Sequence, residues 1–201
     1  MTQKREQIIE TAIRLFAEEG VGVATARIAK EANVSNGTLF NHFETKQALL
    51  DTVYVHIKTI IADEVLSPLD MGHKLHDLFL DVWLSFSAWC RQHPLEITAL
   101  ELLKSSQLLT DDVKDKGSDA WSDIIHKVRE GIDNGILVQV PSELIFLTSE
   151  GMLNAVMTYA DRKKLSPEEF EATIRKSFEI FWRSIASEYS KKEKQTCSKF
   201  I

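Results

Sequence analysis

The chain has 201 residues, 44% hydrophobic and 27% charged, a balance that supports a substantial buried core and excludes a disordered or fibrous polymer. A formal net charge of −6 excludes a surface that is basic throughout, so contact with nucleic acid requires a local patch. Residues 1–62 hold seven Lys or Arg and seven Asp or Glu, whereas residues 63–201 hold seventeen against twenty-three, so the acidic excess lies outside the N-terminal segment.

Ile8, Ile9, Ala12, Ile13, Leu15 and Phe16 recur at helical spacing, which predicts a first helix over residues 3–19 that stops at Gly20 and Gly22. Thr25 is suited to cap a second helix over 26–32, with Ile28, Ala29 and Ala32 turned inward. Asn33 and Val34 make a tight turn, with Val34 as its apolar plug, and Ser35 caps a third helix. In that helix Leu39, Phe40 and Phe43 supply apolar contacts, while Gly37, Thr38, Asn41 and His42 leave a small polar surface suited to base edges and phosphate. Two short helices around so tight a turn are the spacing by which a protein places one helix in the DNA major groove.

Thr45 caps a fourth helix that starts at Lys46 and carries Leu49, Leu50, Val53, Ile57, Ile60 and Ile61 until Pro68 interrupts it, a helix placed to link two domains. Residues 71–91 predict a fifth helix with a wide aromatic face built on Leu75, Leu78, Phe79, Val82, Trp83, Phe86 and Trp89. A shorter helix runs from Pro94 through Leu103, a polar stretch opens at Thr110, and a helix over about 118–134 ends near Asn134 and Gly135. Two more helices follow Pro141 and Pro167. In the second, Ser166 is the cap, Pro167 the first helical residue and Glu169 the reciprocal capping partner. Their apolar faces are Leu144, Leu147, Met152, Val156 and Tyr159 in one, and Phe170, Ile174, Phe178, Phe181, Trp182 and Ile185 in the other. Such a pair either finishes a monomer core or forms half of a four-helix interface, and the paired heads of DNA readers favour a homodimer through these two C-terminal helices.

The expected fold is therefore all-α: an N-terminal three-helix head with a helix-turn-helix over residues 1–47, a larger helical domain over 48–190, and a polar tail over 191–201. Cys90 lies in a Trp-rich helical stretch and Cys197 in the tail, which gives no disulfide framework and fits a reducing cytoplasm. No signal-type apolar block follows the first residues, and no run approaches the roughly eighteen apolar residues of a membrane span. The six histidines compose no metal-ligand signature, and no nucleophile-base pattern or phosphate-binding glycine loop competes with the helix-turn-helix, so neither an enzyme nor a cofactor is expected.

From residue 8 to residue 50 the sequence resembles the TetR/AcrR family of bacterial transcriptional regulators. The resemblance rests on AIRLFAEEG over 12–20, Thr25, Ile28, Ala29, Ala32, Val34, Ser35, Gly37, Thr38, Leu39, Phe40, His42, Phe43, Lys46, Leu49 and Leu50. It implies a homodimer that binds double-stranded DNA and whose C-terminal domain also takes a small effector that lowers operator affinity. The expected function is thus a repressor released from a near-palindromic operator by a small apolar or aromatic molecule. An activator, a quorum-type global regulator or a constitutive dimer without a ligand share the same fold. Two positions depart from the family pattern: Asn33 stands where glycine is usual and Phe40 where tyrosine is usual. Asn tolerates left-handed backbone, so the turn survives. Phe40 has no hydroxyl for phosphate, which shifts the backbone grip to Thr25, Asn41, His42 and Lys46.

The candidate DNA contacts are Thr25, Arg27, Ser35, Asn36, Gly37, Thr38, Asn41, His42 and Lys46. Thr25, Ser35 and Thr38 serve equally as caps or turn formers, His42 as packing beside Phe43, and Arg27 and Lys46 as cations for phosphate. Phe79, Trp83, Phe86 and Trp89, with Met152 or Tyr159, either close a helical core or line an apolar cavity; the spacing favours the core and the resemblance calls for the cavity. His93 and Trp121 are candidate polar handles for the same ligand. Cys90, with no basic neighbours in sequence, is expected to be buried rather than a redox sensor.

Overall fold

The computed structural model describes residues 3–110, 112–113 and 121–187. The helical periodicities are realised as nine α-helices among these residues: α1 (Gln3–Glu19), α2 (Thr25–Glu31), α3 (Asn36–His42), α4 (Lys46–Ile61), α5 (Leu75–Gln92), α6 (Pro94–Ser105), α7 (Ser122–Asp133), α8 (Ser142–Lys163) and α9 (Pro167–Ile185). No strand forms among them; one antiparallel bridge joins Leu137 to Ala186. The chain divides into two compact units, residues 1–64 with 89–120, and residues 65–88 with 121–201.

In the first unit α1 is the hub. Its Ile8, Ile9, Ala12, Leu15 and Phe16 are buried, and it packs against α2, α3, α4 and α6. The facing side chains are Ile28 and Ala29 from α2, Leu39 from α3, Leu49, Leu50 and Val53 from α4, and Ala99, Leu100 and Leu103 from α6. Helix α2 begins one residue earlier than the sequence suggests. Thr25 is its first helical residue, and the N-cap is Ala24, which offers no side-chain hydrogen bond. The exit of α2 matches the expectation. Asn33 takes φ +52°, the Val34 N–H reaches the Ala29 carbonyl at 3.0 Å and the Asn33 N–H reaches the Lys30 carbonyl at 3.1 Å. These two bonds form a Schellman motif, which satisfies carbonyls that a helix end otherwise leaves unpaired. Lys164 at φ +52° and Gly135 at φ +69° end α8 and α7 through the same pair of bonds.

Helix α4 runs on into a single π-helical turn, Ala62–Leu66, before Pro68 stops it. The fifth helix starts at Leu75, the first of its apolar residues, four residues later than the expected span. The Asp70 carboxylate accepts the Gly72 N–H at 2.8 Å and its carbonyl accepts the His73 N–H at 3.1 Å, so a side chain holds the backbone in a turn that competes with helix. Of the helix expected over about 118–134, residues 118–120 lie outside the described residues, as does Asp111; the remainder is α7. The 191–201 tail lies outside them entirely.

The second unit is built on aromatic packing. Trp83 of α5 stacks on Phe181 of α9 at 5.1 Å and meets Phe178 edge-on at 5.5 Å, while Phe79 lies 6.3 Å from Phe181 and from Trp182. Every apolar residue expected on the inner face of α9 is buried, and its Ser166–Glu169 capping box is complete. Helix α8 divides the face expected of it. Its buried residues are Ile145, Leu153, Val156 and Ala160, whereas Leu144, Leu147 and Tyr159 are 51%, 66% and 49% exposed. The helix carries two apolar stripes, and periodicity alone does not say which one turns inward.

Because Asn33 occupies left-handed backbone that a β-branched residue strongly resists, Asn33→Val is expected to cost about 1–3 kcal/mol, whereas Asn33→Gly keeps the stability of the wild type or improves it slightly. Urea denaturation of the three proteins measures both effects.

Candidate nucleic-acid interface

The reading surface is organised by α3. Its N-cap is Ser35, whose Oγ accepts the Thr38 N–H at 3.0 Å and lies 2.9 Å from the Thr38 Oγ1. The two hydroxyls thus bond each other, and their first task is to start the helix. Leu39 and Phe43 are buried beneath, and the Arg5 guanidinium sits 5.2 Å over the Phe43 ring. With that face held down, Asn36, Gly37, Phe40 and Asn41 point outward at i, i+1, i+4 and i+5 and share one exposed side. Phe40 is the exception to its expected role: it is 39% exposed rather than packed with Leu39 and Phe43. A Cβ added at Gly37 would meet only the Ser35 Oγ, at 3.8 Å, so the space beside the exposed backbone is open there.

From Ala32 to Phe43 the sequence contains no Asp, Glu, Lys or Arg, and cations come from outside the helix. Thr45 caps α4 by accepting the Ala48 N–H at 3.0 Å, which places Lys46 as the first residue of that helix. A cation there opposes the positive end of the helix dipole, an arrangement that an approaching phosphate relieves. Arg27 is engaged within the protein. It donates to Glu31 at 2.8 Å and Glu19 at 3.5 Å, and Glu31 also meets Arg14, which pairs with Glu18. These pairs are solvent-exposed and individually worth less than about 1 kcal/mol, so they tie α1 to α2 only loosely. Thr25 is half-buried at the start of α2, and His42 is half-buried with its ring 6.4 Å from Phe43. Phe40 and Arg5 are the residues that the sequence reading did not select for this surface. A helical wheel groups Phe40 with Asn36 and Gly37, and that signal was available.

Residues 8–53, spanning α1 to α3 and half of α4, match the family described as bacterial regulatory proteins, tetR family. A crystal structure of a TetR-family transcription regulator from Shewanella sp. PV-4 superposes with a TM-score of 0.82 at 29% identity, covering 92% of this chain and 99% of that one. Residues 8–53 thus form a DNA-binding region of the tetR family. An HTH-type transcriptional regulator of Haemophilus influenzae is 25% identical over 189 residues, 92% of this chain and 96% of its own length. A TetR-family regulator from Marinobacter aquaeolei VT8 shares the fold with a TM-score of 0.80 at 20% identity, covering 92% of this chain and 96% of that one. The protein is accordingly a transcriptional regulator with a DNA-binding helix-turn-helix, and its homologues are transcription factors, not enzymes.

The ligand candidates fall in both compact units. Phe79 and Trp83 are buried in the aromatic cluster, and the Trp83 Nε1–H donates to the Ser149 Oγ at 2.9 Å. Phe86 and Trp121 are half-buried and meet edge-on at 6.4 Å; Met152 is half-buried against the same core. Tyr159 lies on the outer stripe of α8. Trp89 and His93 belong to the first unit, where their rings stack at 4.6 Å and both face the Glu64 carboxylate, at 2.9 Å from the Trp89 Nε1 and 3.4 Å from the His93 Nε2. Among the described residues no group of His, Cys, Asp and Glu is arranged to hold a metal, and no helix is long and apolar enough to cross a membrane.

Cys90 is buried, and burial, reinforced by the Glu101 carboxylate, pushes its thiol up to about 12. A thiol so far above neutrality stays protonated and unreactive. Iodoacetamide at pH 8 is expected to leave Cys90 unmodified in the native protein and to label it fully in denaturant; tryptic mass spectrometry separates its peptide from that of Cys197.

Proposed function

We propose that this regulator is a homodimeric repressor that inserts residues 35–42 into two major-groove half-sites of a near-palindromic operator. The observation that carries the reading is the outward face of α3. A capped helix pinned by Leu39 and Phe43 presents Asn36, Gly37 and Asn41 without a charged residue, a surface whose amides suit base edges and whose glycine permits close approach. Lys46 supplies a phosphate contact, joined by Thr25, His42 and the hydroxyls of Ser35 and Thr38. Arg27 joins them by exchanging its exposed carboxylate partners for phosphate.

Residues 1–47 act as the DNA-reading head and residues 48–190 as the dimerisation and effector domain. Dimerisation runs through α8 and α9. In support, Leu144, Leu147 and Tyr159 on α8 and Ile180 on α9 are all large, apolar and exposed, a set that a protein of this kind covers with a second copy. A small apolar or aromatic effector, held among the half-buried Phe86, Trp121 and Met152 that border Phe79 and Trp83, lowers operator affinity. The regulator acts where the chromosome is, in the cytoplasm.

Selection of genomic fragments with the purified protein at controlled salt, followed by footprinting, tests the reading. A reproducible near-palindrome is the expected product; recovery that depends on salt alone and ignores sequence rejects it. Lys46→Ala is expected to weaken binding to all sequences alike and to reduce the slope of log affinity against log salt by about one for each head. Leu147→Glu is expected to convert the dimer to monomer in sedimentation equilibrium and to abolish two-site footprinting, while circular dichroism remains helical.

A further inference from the structure

We infer that Phe40 reads a thymine methyl group and so fixes one base of each half-site. The inference rests on the DNA-reading role of α3 proposed above. Phe40 is 39% exposed on a helix whose other outward residues are Asn36, Gly37 and Asn41, and Leu39 and Phe43 already satisfy the apolar demand of the core. Its ring is therefore not needed to hold α3 in place. Gly37, three residues earlier on the same side, has no side chain and only the Ser35 Oγ nearby, so nothing from that position screens the ring from an approaching duplex.

The chemistry of the ring selects its partner. Phenylalanine has no donor or acceptor, so it gains nothing from phosphate and covers whatever lies under it in the groove. In the major groove thymine presents a C5-methyl, the one apolar group on any base edge. Cytosine carries only hydrogen at C5, so the ring finds no methyl there and still desolvates a polar edge, the N4 amino group standing where thymine has O4. Adenine and guanine present polar N7 and N6 or O6 atoms, with the same cost. The expected preference is thymine over uracil and cytosine, both of which lack the methyl; uracil isolates its worth because it differs from thymine in nothing else. Asn36 and Asn41, which flank the ring on the same face, remain free to hydrogen-bond the neighbouring base pairs.

The test uses the full-length protein and the operator duplex recovered by genomic-fragment selection, with each thymine replaced in turn by deoxyuridine in both half-sites. Titrations of the wild type and of Phe40→Ala are compared at a salt concentration low enough for both to bind. The wild type is expected to lose about fourfold in affinity per half-site at one symmetric thymine, the worth of one buried methyl, and Phe40→Ala to bind thymine and uracil there equally. Phe40→Leu, which keeps an apolar tip, retains a preference for thymine at that position. Thermal melting of Phe40→Ala close to that of the wild type shows that the loss is not one of folding. If Phe40→Ala discriminates thymine from uracil at every position as the wild type does, Phe40 does not read the methyl, even though the operator stands. If no sequence-specific duplex is recovered at all, the DNA-reading role of α3 fails and takes this inference with it.

Discussion

A seven-residue helix does not hold its shape alone in water, since the cost of nucleating it exceeds the gain from so few hydrogen bonds. Helix α3 persists because Leu39 and Phe43 are buried beneath it, Ser35 caps its first turn and the Schellman bonds at Asn33 fix the direction in which the chain enters it. These three constraints decide which side of α3 faces outward. They leave Asn36, Gly37, Phe40 and Asn41 on the exposed side and remove Ser35 and Thr38 from full availability by bonding them to each other. The exposed face of α3 is thus a consequence of packing on α1.

Charge plays a smaller part than the cation count suggests. Arg14 and Arg27 are drawn into pairs with Glu18, Glu19 and Glu31, so they contribute to the joint between α1 and α2 before they contribute to any field toward DNA. On the proposed function, a surface of uncharged amides with Lys46 beside it reads sequence through hydrogen bonds and shape, with modest electrostatic steering. The second unit is held together mainly by aromatic burial. Phe79, Trp83, Phe178, Phe181 and Trp182 form a contiguous cluster, and Trp83 satisfies its indole N–H on Ser149, which lets a large polar-edged ring be buried without an unpaired donor.

Much of the helical plan was legible because it rests on local rules. The Ser35 and Thr45 caps, the Ser166–Glu169 box, the left-handed Asn33 and the stop before Pro68 all follow from the chemistry of single residues and their immediate neighbours. Expectation and structure part where two local preferences compete. Thr25 is a good cap, yet helical geometry already includes it and Ala24 takes the cap position. Residues 71–74 fall within the expected helical span, yet the Asp70 side chain captures the backbone first.

The all-helical character of the chain, the ends of most of its helices and the TetR-type helix-turn-helix in its N-terminal part could all be read before folding, because periodicity, caps and turn residues are written in contiguous residues. Two features emerged with the packed structure alone: which apolar stripe of α8 is core, and that Arg27 is held by Glu19 as well as by its neighbour Glu31. Those choices depend on partners distant in the chain. A helix with two apolar stripes can bury either one, and the packing of its neighbours makes the selection.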